Sequence, residues 1–138
     1  TSRPDLASHL RLTIARTARR LRQEGGTGLS PSMTAALATI ECHGPMTPSE
    51  LAARERIQRP TATRVIARLE EMGLLGRTTD PQDRRSSLVS VTPEATALLA
   101  EQRTRKTAFL AERLDGLDAE DRAALERAAD VLERMLAE

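Results

Sequence analysis

The most suggestive residues are threonines and arginines clustered near the middle of the chain. They lie in the run Gln58-Arg59-Pro60-Thr61-Ala62-Thr63-Arg64. The run predicts the start of a helix, because proline at a first helical position has its φ already set and lacks only a donor that the helix would leave unpaired. Arginine and hydroxyl side chains on the first turns of a short helix suit insertion into the major groove of duplex DNA.

A second candidate is the arginine-rich loop Asp80-Pro81-Gln82-Asp83-Arg84-Arg85. Residues 74–79 and 88–92 on either side are short, hydrophobic and β-branched at intervals, so the whole segment predicts a hairpin. Beside a helix-turn-helix, a hairpin tip with adjacent arginines is a wing that can enter a minor groove or grip phosphates. The simpler alternative is a charged turn that contacts only solvent.

The residues around these two candidates predict the elements that position them. The helix that begins at the threonine and arginine run ends at Gly73, and Ser30-Pro31 opens an earlier helix that continues through Cys42. Between them, Thr47-Pro48-Ser49-Glu50 has capping-box spacing, and a helix start of this kind favours an anion. Apolar residues recur at helical spacing behind the run and form one face: Val65, Ile66, Leu69 and Met72.

Amphipathic helices are predicted at both ends of the chain, outside this compact unit. The first spans residues 4–24, and a long helix begins at Pro93 and ends near Leu114. Asp118 caps a last helix. Their apolar faces need a cover, and a second copy of the same helices supplies one. Packing within one monomer is the alternative. The residues predicted to mediate dimerisation are Leu6, Leu10, Ile14, Leu125, Leu132 and Met135.

The predicted fold is therefore mainly α with a small β-hairpin wing. One domain, residues 1–138, would contain a winged helix-turn-helix lobe at 30–92 and dimerisation helices at 4–24 and 93–138. A chain of 138 residues is large enough for one core and too small for two large domains.

Net charge does not identify a partner, but the distribution of charge is informative. The formal net charge is +1; residues 54–85 carry 8 positive and 5 negative side chains, and residues 93–138 carry 7 and 11. All the positive residues except Lys106 are arginines. Arginine favours bidentate contacts to phosphate and guanine, although an arginine-rich composition is also typical of a GC-rich genome.

Other classes of function are poorly supported. The single cysteine, Cys42, excludes an intrachain disulfide, and we predict a buried, inert thiol rather than a redox sensor. His9 and His43 do not form a local metal motif, so neither metal nor cofactor is expected. No catalytic constellation, phosphate loop, membrane span or signal peptide is visible, which predicts a cytoplasmic protein that is not an enzyme.

The central segment resembles the DNA-binding lobe of the MarR family of bacterial transcription regulators. The matching stretch is SELAARERIQRPTATRVIARLEEMGLLGRTTDPQDRRSSLVSVTPEA. Its marks are the Leu-Glu-Glu-Met-Gly-Leu-Leu helix exit, the Asp-Pro-Gln-Asp-Arg-Arg wing and the Val-Ser-Val-Thr strand before a helix. The resemblance extends in layout to nearly the whole chain.

This resemblance implies roles for individual residues. Arg64 reads base edges in the major groove, and either Arg84 or Arg85 enters the minor groove. Asp83 orients Arg85 through a charge-assisted bond, since its own charge would repel phosphate. The alternative for Arg64 is a surface ion pair with Glu70 or Glu71. The other predicted DNA-binding residues of this helix are Arg59 on the DNA backbone, Thr61 and Thr63 at thymine methyls or phosphates, Pro60 and Arg68.

The function expected from the residues and the resemblance is sequence-specific regulation of transcription by a homodimer. The protein would repress from a pseudo-palindromic operator on double-stranded DNA. The resemblance also implies relief by a small-molecule effector held between the dimerisation helices and the DNA-binding lobe. The alternative is a winged-helix module for protein interaction or chromosome organisation, in which the wing grips an acidic partner.

Overall fold

The structure is a computed structural model that describes residues 3–26 and 28–137. In this part of the chain, helices surround one antiparallel hairpin, which confirms the predicted fold class. The helices are α1 (Arg3–Gly25), α2 (Pro31–His43), α3 (Pro48–Glu55), α4 (Arg59–Glu71), α5 (Pro93–Asp115) and α6 (Ala119–Leu136), and the strands are β1 (Leu75–Thr79) and β2 (Ser87–Val91). None of these helices is long and apolar enough to span a membrane.

The helix starts follow from local side-chain caps. Each cap oxygen satisfies a backbone N–H that the first turn leaves without an internal partner. The caps predicted at α2, α3 and α6 are present: Ser30 accepts from the N–H of Met33, Thr47 from that of Glu50, and Asp118 from that of Asp121, at 3.2, 3.1 and 2.8 Å.

The core lies where α2, α3 and α4 meet the hairpin and the start of α5. Its fully buried side chains include Leu37, Ile40, Leu51, Ile66, Leu69, Val89 and Leu99. In the hairpin, Leu75 pairs with Val91 and Thr79 with Ser87. Met46 forms an isolated β-bridge with Val89, because the backbone N–H and carbonyl of Met46 both hydrogen-bond to the backbone of Val89, at 3.1 and 2.8 Å. The base of the wing is thus attached to the segment that leads into α3.

The buried face of α4 differs from the prediction at its last position. Ala62, Ile66 and Leu69 are buried, whereas Met72 is 50% exposed, so its assignment to the apolar face was wrong. Met72 is the residue that ends the helix, and the chain turns away at Gly73 with a φ of 76°. Helical spacing therefore no longer sets the direction of the Met72 side chain.

The end of α1 packs closely against α5. Arg105 Nε donates to the carbonyl of Gly25 at 2.6 Å, and Gly25 is buried against Gln102, whose side chain is also buried. The guanidinium groups of Arg20 on α1 and of Arg113 on α5 lie over the Phe109 ring, at 5.1 and 4.9 Å from its centroid. The contacts of Gly25 and Arg20 with α5 join the two helices, whereas α6 has no buried residue.

Replacing Gly25 by alanine should destabilise the protein. A Cβ there would lie 2.9 Å from Gln102 Cγ and 3.1 Å from Lys106 Cε, and overpacking of this kind costs about 1–3 kcal/mol. The control is Gly116→Ala, where φ is −82° and the closest atom is 3.6 Å away. Urea unfolding at one protein concentration should show a loss of stability for Gly25→Ala only; equal stability of the two variants would contradict the close packing of α1 on α5.

Candidate nucleic-acid interface

The outward face of α4 presents most of the polar residues predicted to contact DNA. Arg59, Thr63, Arg64 and Arg68 are exposed, Pro60 is exposed at the start of the helix, and Thr61 is half-buried. Because Ala62, Ile66 and Leu69 pack into the core, the opposite side of the same helix must face solvent. Core packing alone therefore orients these side chains.

The arginine predicted to read bases has little to hold it in the free protein. Arg64 Nη2 lies 3.5 Å from the hydroxyl of Thr61, and this is a long, weak hydrogen bond. The ion pair considered as the alternative is not formed, because Glu70 binds Arg77 instead and the described part of the chain shows no ion pair of Glu71. The guanidinium of Arg64 is free to meet a partner.

The wing is shaped by carboxylates that bind the main chain. Asp83 Oδ1 accepts from the N–H of Arg85 at 3.0 Å, and the carbonyl of Asp83 accepts from the N–H of Ser86 at 3.0 Å. Asp83 thus contacts the backbone of Arg85 and not its guanidinium. In the described part of the chain, neither the Arg84 nor the Arg85 guanidinium has a hydrogen bond or an ion pair.

Sequence analysis missed an arginine that joins α4 to the wing. Arg77 Nη2 and Nε donate to Glu70 Oε1 and Oε2 at 2.8 and 3.3 Å, and Arg77 Nη1 donates to Ser87 Oγ at 2.8 Å. The hydrogen bonds that Arg77 donates to Glu70 raise the pKa of Arg77, partial burial lowers it, and the negative charge of Glu70 raises it further. The two residues lie seven positions apart across a helix end and a turn, so no local pattern indicated the pair.

A polar cleft lies where α3, α4 and the wing meet. Its volume is about 450 Å³, and it is lined by Thr47, Pro48, Ser49, Arg59, Arg77, Arg85, Ser86 and Ser87. Three guanidinium groups, several hydroxyls and the N-terminal end of α3 surround it, and its lining contains no carboxylate. Guanidinium groups, hydroxyls and unpaired N–H groups at a helix start are the groups that bind phosphate oxygens. Of these residues, Arg59 and Arg85 were predicted to bind DNA, and the helix start at Thr47 was predicted to favour an anion.

The prediction of a buried cysteine is wrong. Cys42 is exposed near the end of α2. The buried residues of that helix are Ala36, Leu37 and Ile40, and Cys42 comes two positions after the last of them, off the buried face. Among the described residues, His, Cys, Asp and Glu side chains form no group of three that could hold a metal ion.

Comparison with known proteins places these features in a family. The model of the MarR family matches residues 29–87. An HTH-type transcriptional regulator of Mycobacterium tuberculosis is 41% identical over 128 residues, covering 92% of this chain and 90% of that protein. A solved structure of a candidate transcriptional regulator from Pseudomonas aeruginosa is 32% identical, with a TM-score of 0.84 and coverage of 95% and 94%. A MarR variant from E. coli, solved with operator DNA, shares the fold at 23% identity, with a TM-score of 0.68 and coverage of 96% and 94%.

Two helices followed directly by a hairpin, with arginines on both, define a winged helix-turn-helix protein. The relationship to the mycobacterial regulator extends over almost the full length of both proteins. The chain belongs to the MarR family and is a transcriptional regulator of the helix-turn-helix type, not an enzyme. The predicted family is confirmed.

Proposed function

We propose that this protein is a homodimeric repressor that reads a pseudo-palindromic site on double-stranded DNA. The observation that carries the proposal is the polar cleft, in which Arg59 of α4, Arg77 of β1 and Arg85 of the wing line one site. Arg64 further along α4 and Arg84 beside Arg85 are also exposed. Surfaces of this kind bind DNA by combining phosphate contacts, which position the protein, with base contacts, which give specificity. Such a protein would act in the cytoplasm, where bacterial DNA lies.

Each part of the surface has a matching part of the duplex. Helix α4 is the size of a recognition helix and would place Arg64 against guanine, with Thr61 and Thr63 beside it. The wing would bring Arg84 or Arg85 to the adjacent minor groove, and the cleft would hold backbone phosphates. The E. coli MarR variant with the same fold was solved in complex with operator DNA, which supports this arrangement.

The terminal helices α1, α5 and α6, which we call the arms, support the dimer. Leu6, Ile14, Leu125 and Met135 are 52%, 49%, 49% and 65% exposed, and Leu10 and Leu132 lie on the same two helices. A monomer that leaves this much apolar surface on α1 and α6 gains by burying it against a second copy. A two-fold dimer would then place two α4 helices in successive major grooves, about one helical turn apart.

A groove between the arms and the DNA-binding lobe supports regulation by a small ligand. Its volume is about 360 Å³, and α1, α2 and α5 contribute Ala18, Leu21, Arg22, Pro31, Thr34, Ala35, Ala38 and Lys106 to its lining. Apolar walls with two cations and no carboxylate suit an amphipathic organic anion. Such a ligand would relieve repression by binding the form of the dimer whose recognition helices do not match the two half-sites.

Replacing Arg64 by alanine should weaken and also broaden DNA recognition. Selection from a random duplex pool at physiological salt gives the preferred site, and titration of that site and of a scrambled duplex measures the effect. We expect a loss of about 1–3 kcal/mol on the preferred site and little on the scrambled one. In the control Arg59→Ala, both duplexes should lose affinity alike, because a phosphate contact is independent of sequence.

Two results would contradict the proposal. Equal losses of affinity on both duplexes for Arg64→Ala would show that Arg64 does not read bases. Recovery of no preferred, two-fold symmetric site by the wild-type protein would instead favour a winged-helix module that binds a protein partner or organises the chromosome.

Replacing Leu125 by glutamate should convert the dimer into a monomer. A charge at the centre of an apolar interface would be buried without a partner, which is strongly unfavourable. Met72→Glu is the matched control, since Met72 is 50% exposed and Leu125 49%, but Met72 lies at the end of α4. Sedimentation equilibrium at micromolar concentration should detect monomers for the first variant only; a wild-type monomer would contradict the dimer itself.

Replacing Lys106 by glutamine should weaken binding of organic anions in the groove. Octanoate and benzoate serve as probes, because each joins an apolar body to a carboxylate. We expect them to raise the melting temperature of the wild-type protein and to release bound duplex, and to do both less well for Lys106→Gln. The control is Arg127→Gln on α6, outside the groove. If the probes release bound duplex equally well from both variants, Lys106 does not bind the anion.

A further inference from the structure

We propose that Glu70 is a positioning residue for DNA binding, which acts by fixing the wing to α4 through Arg77. This inference rests on the proposed function, because it concerns how two DNA-binding elements are held in a common orientation. Glu70 itself touches no DNA in this scheme. Its negative charge lies beside a basic surface, and by electrostatics alone it would oppose the approach of phosphates.

Glu70 and Arg77 form a two-point ion pair, which we call the clamp. Both carboxylate oxygens of Glu70 accept from the guanidinium of Arg77, at 2.8 and 3.3 Å, which is the two-point pairing that gives arginine its directional strength. The remaining nitrogen, Nη1, donates to Ser87 Oγ on the opposite strand at 2.8 Å. A single guanidinium therefore connects the last turn of α4 with both strands of the wing.

The wing needs such a connection because a two-stranded hairpin is marginally stable by itself. On the β2 side, backbone bonds from Val89 to Met46 already attach it, and Thr92 Oγ1 donates to the carbonyl of Gly73 at 2.8 Å. On the β1 side, the strand is exposed from Arg77 to Thr79. Arg77 is the residue of that exposed stretch whose side chain binds α4, so the outer part of β1 is attached through Glu70, beyond Leu75 in the core.

The acidic neighbour Glu71 provides a matched control. Glu70→Gln and Glu71→Gln each remove one negative charge from adjacent positions at the end of α4, but Glu71 is exposed and forms no ion pair in the described part of the chain. If charge alone matters, both variants bind DNA slightly more tightly than the wild-type protein. If Glu70 positions the wing, Glu70→Gln binds DNA more weakly than the wild-type protein and Glu71→Gln does not.

The first measurement is affinity for a random-sequence duplex at fixed salt. We expect Glu71→Gln to bind as tightly as the wild-type protein or more tightly, and Glu70→Gln to bind about three- to ten-fold more weakly. Arg77→Lys, which keeps the charge and loses the two-point geometry, should weaken binding in the same way. Equal affinity of the Glu70→Gln and Glu71→Gln variants would overturn the proposal.

A second measurement needs no DNA and separates this inference from the proposed function. Amide hydrogen exchange of the hairpin, residues 75–91, should be faster in Glu70→Gln than in Glu71→Gln, with no difference in the core helices. Unchanged exchange in the hairpin would overturn the clamp even if the protein binds DNA. Failure of the wild-type protein to bind any duplex would overturn the proposed function, while the exchange result would still decide whether the clamp exists.

Discussion

Burial of one face of α4 is the constraint on which the remaining structure depends. Ile66 and Leu69 are fully buried in the core formed with α2, α3 and the hairpin. Burial of each such side chain stabilises the fold by about 1.5–3 kcal/mol, so turning α4 to another face would cost most of the stability of a small domain. The outward direction of Arg64 and Arg68 is therefore set by residues that take no part in recognition. A single helix can read bases only when it is held this rigidly, since misplacement of a guanidinium loses its two-point geometry.

The wing poses a different physical problem, because it has almost no core of its own. Leu75 and Val89 are the buried residues of its two strands, and the outer part of β1 is exposed. Its orientation therefore also depends on hydrogen bonds at its base, made by the backbone of Met46 before α3, by the Thr92 hydroxyl before α5 and by the Arg77 guanidinium to Glu70 of α4. Bonds of this kind specify direction well but contribute modestly to stability. The wing can thus have a well-defined orientation and still unfold locally more readily than the core.

Features determined by short stretches of sequence could be predicted, and features determined by tertiary contacts could not. The caps at Ser30, Thr47 and Asp118 and the turn at Gly73 depend on residues within one turn of each other, and all are present. Met72 was assigned wrongly because helical spacing does not show where a helix ends. Cys42 was assigned wrongly because the prediction considered thiol reactivity and not its position two residues after buried Ile40. The pair of Glu70 with Arg77 and the polar cleft both form only when the hairpin packs back on α4. Neither composition nor local spacing predicts that packing. The outward face of α4 was predictable because its apolar residues alone define it.

Coupling between the arms and the DNA-binding lobe follows from how α1 and α5 are joined. The carbonyl of Gly25 and the ring of Phe109 hold α1 to α5, while α5 begins directly after β2 and shares the core through Leu99. A displacement of α1 would therefore be transmitted to α5 and from there to the base of the wing, because these elements are close-packed and cannot deform independently. The groove with Lys106 lies at this junction. In the proposed dimer, a ligand there could change the spacing of two distant recognition helices, and the size of its effect would equal its difference in affinity for the two arrangements.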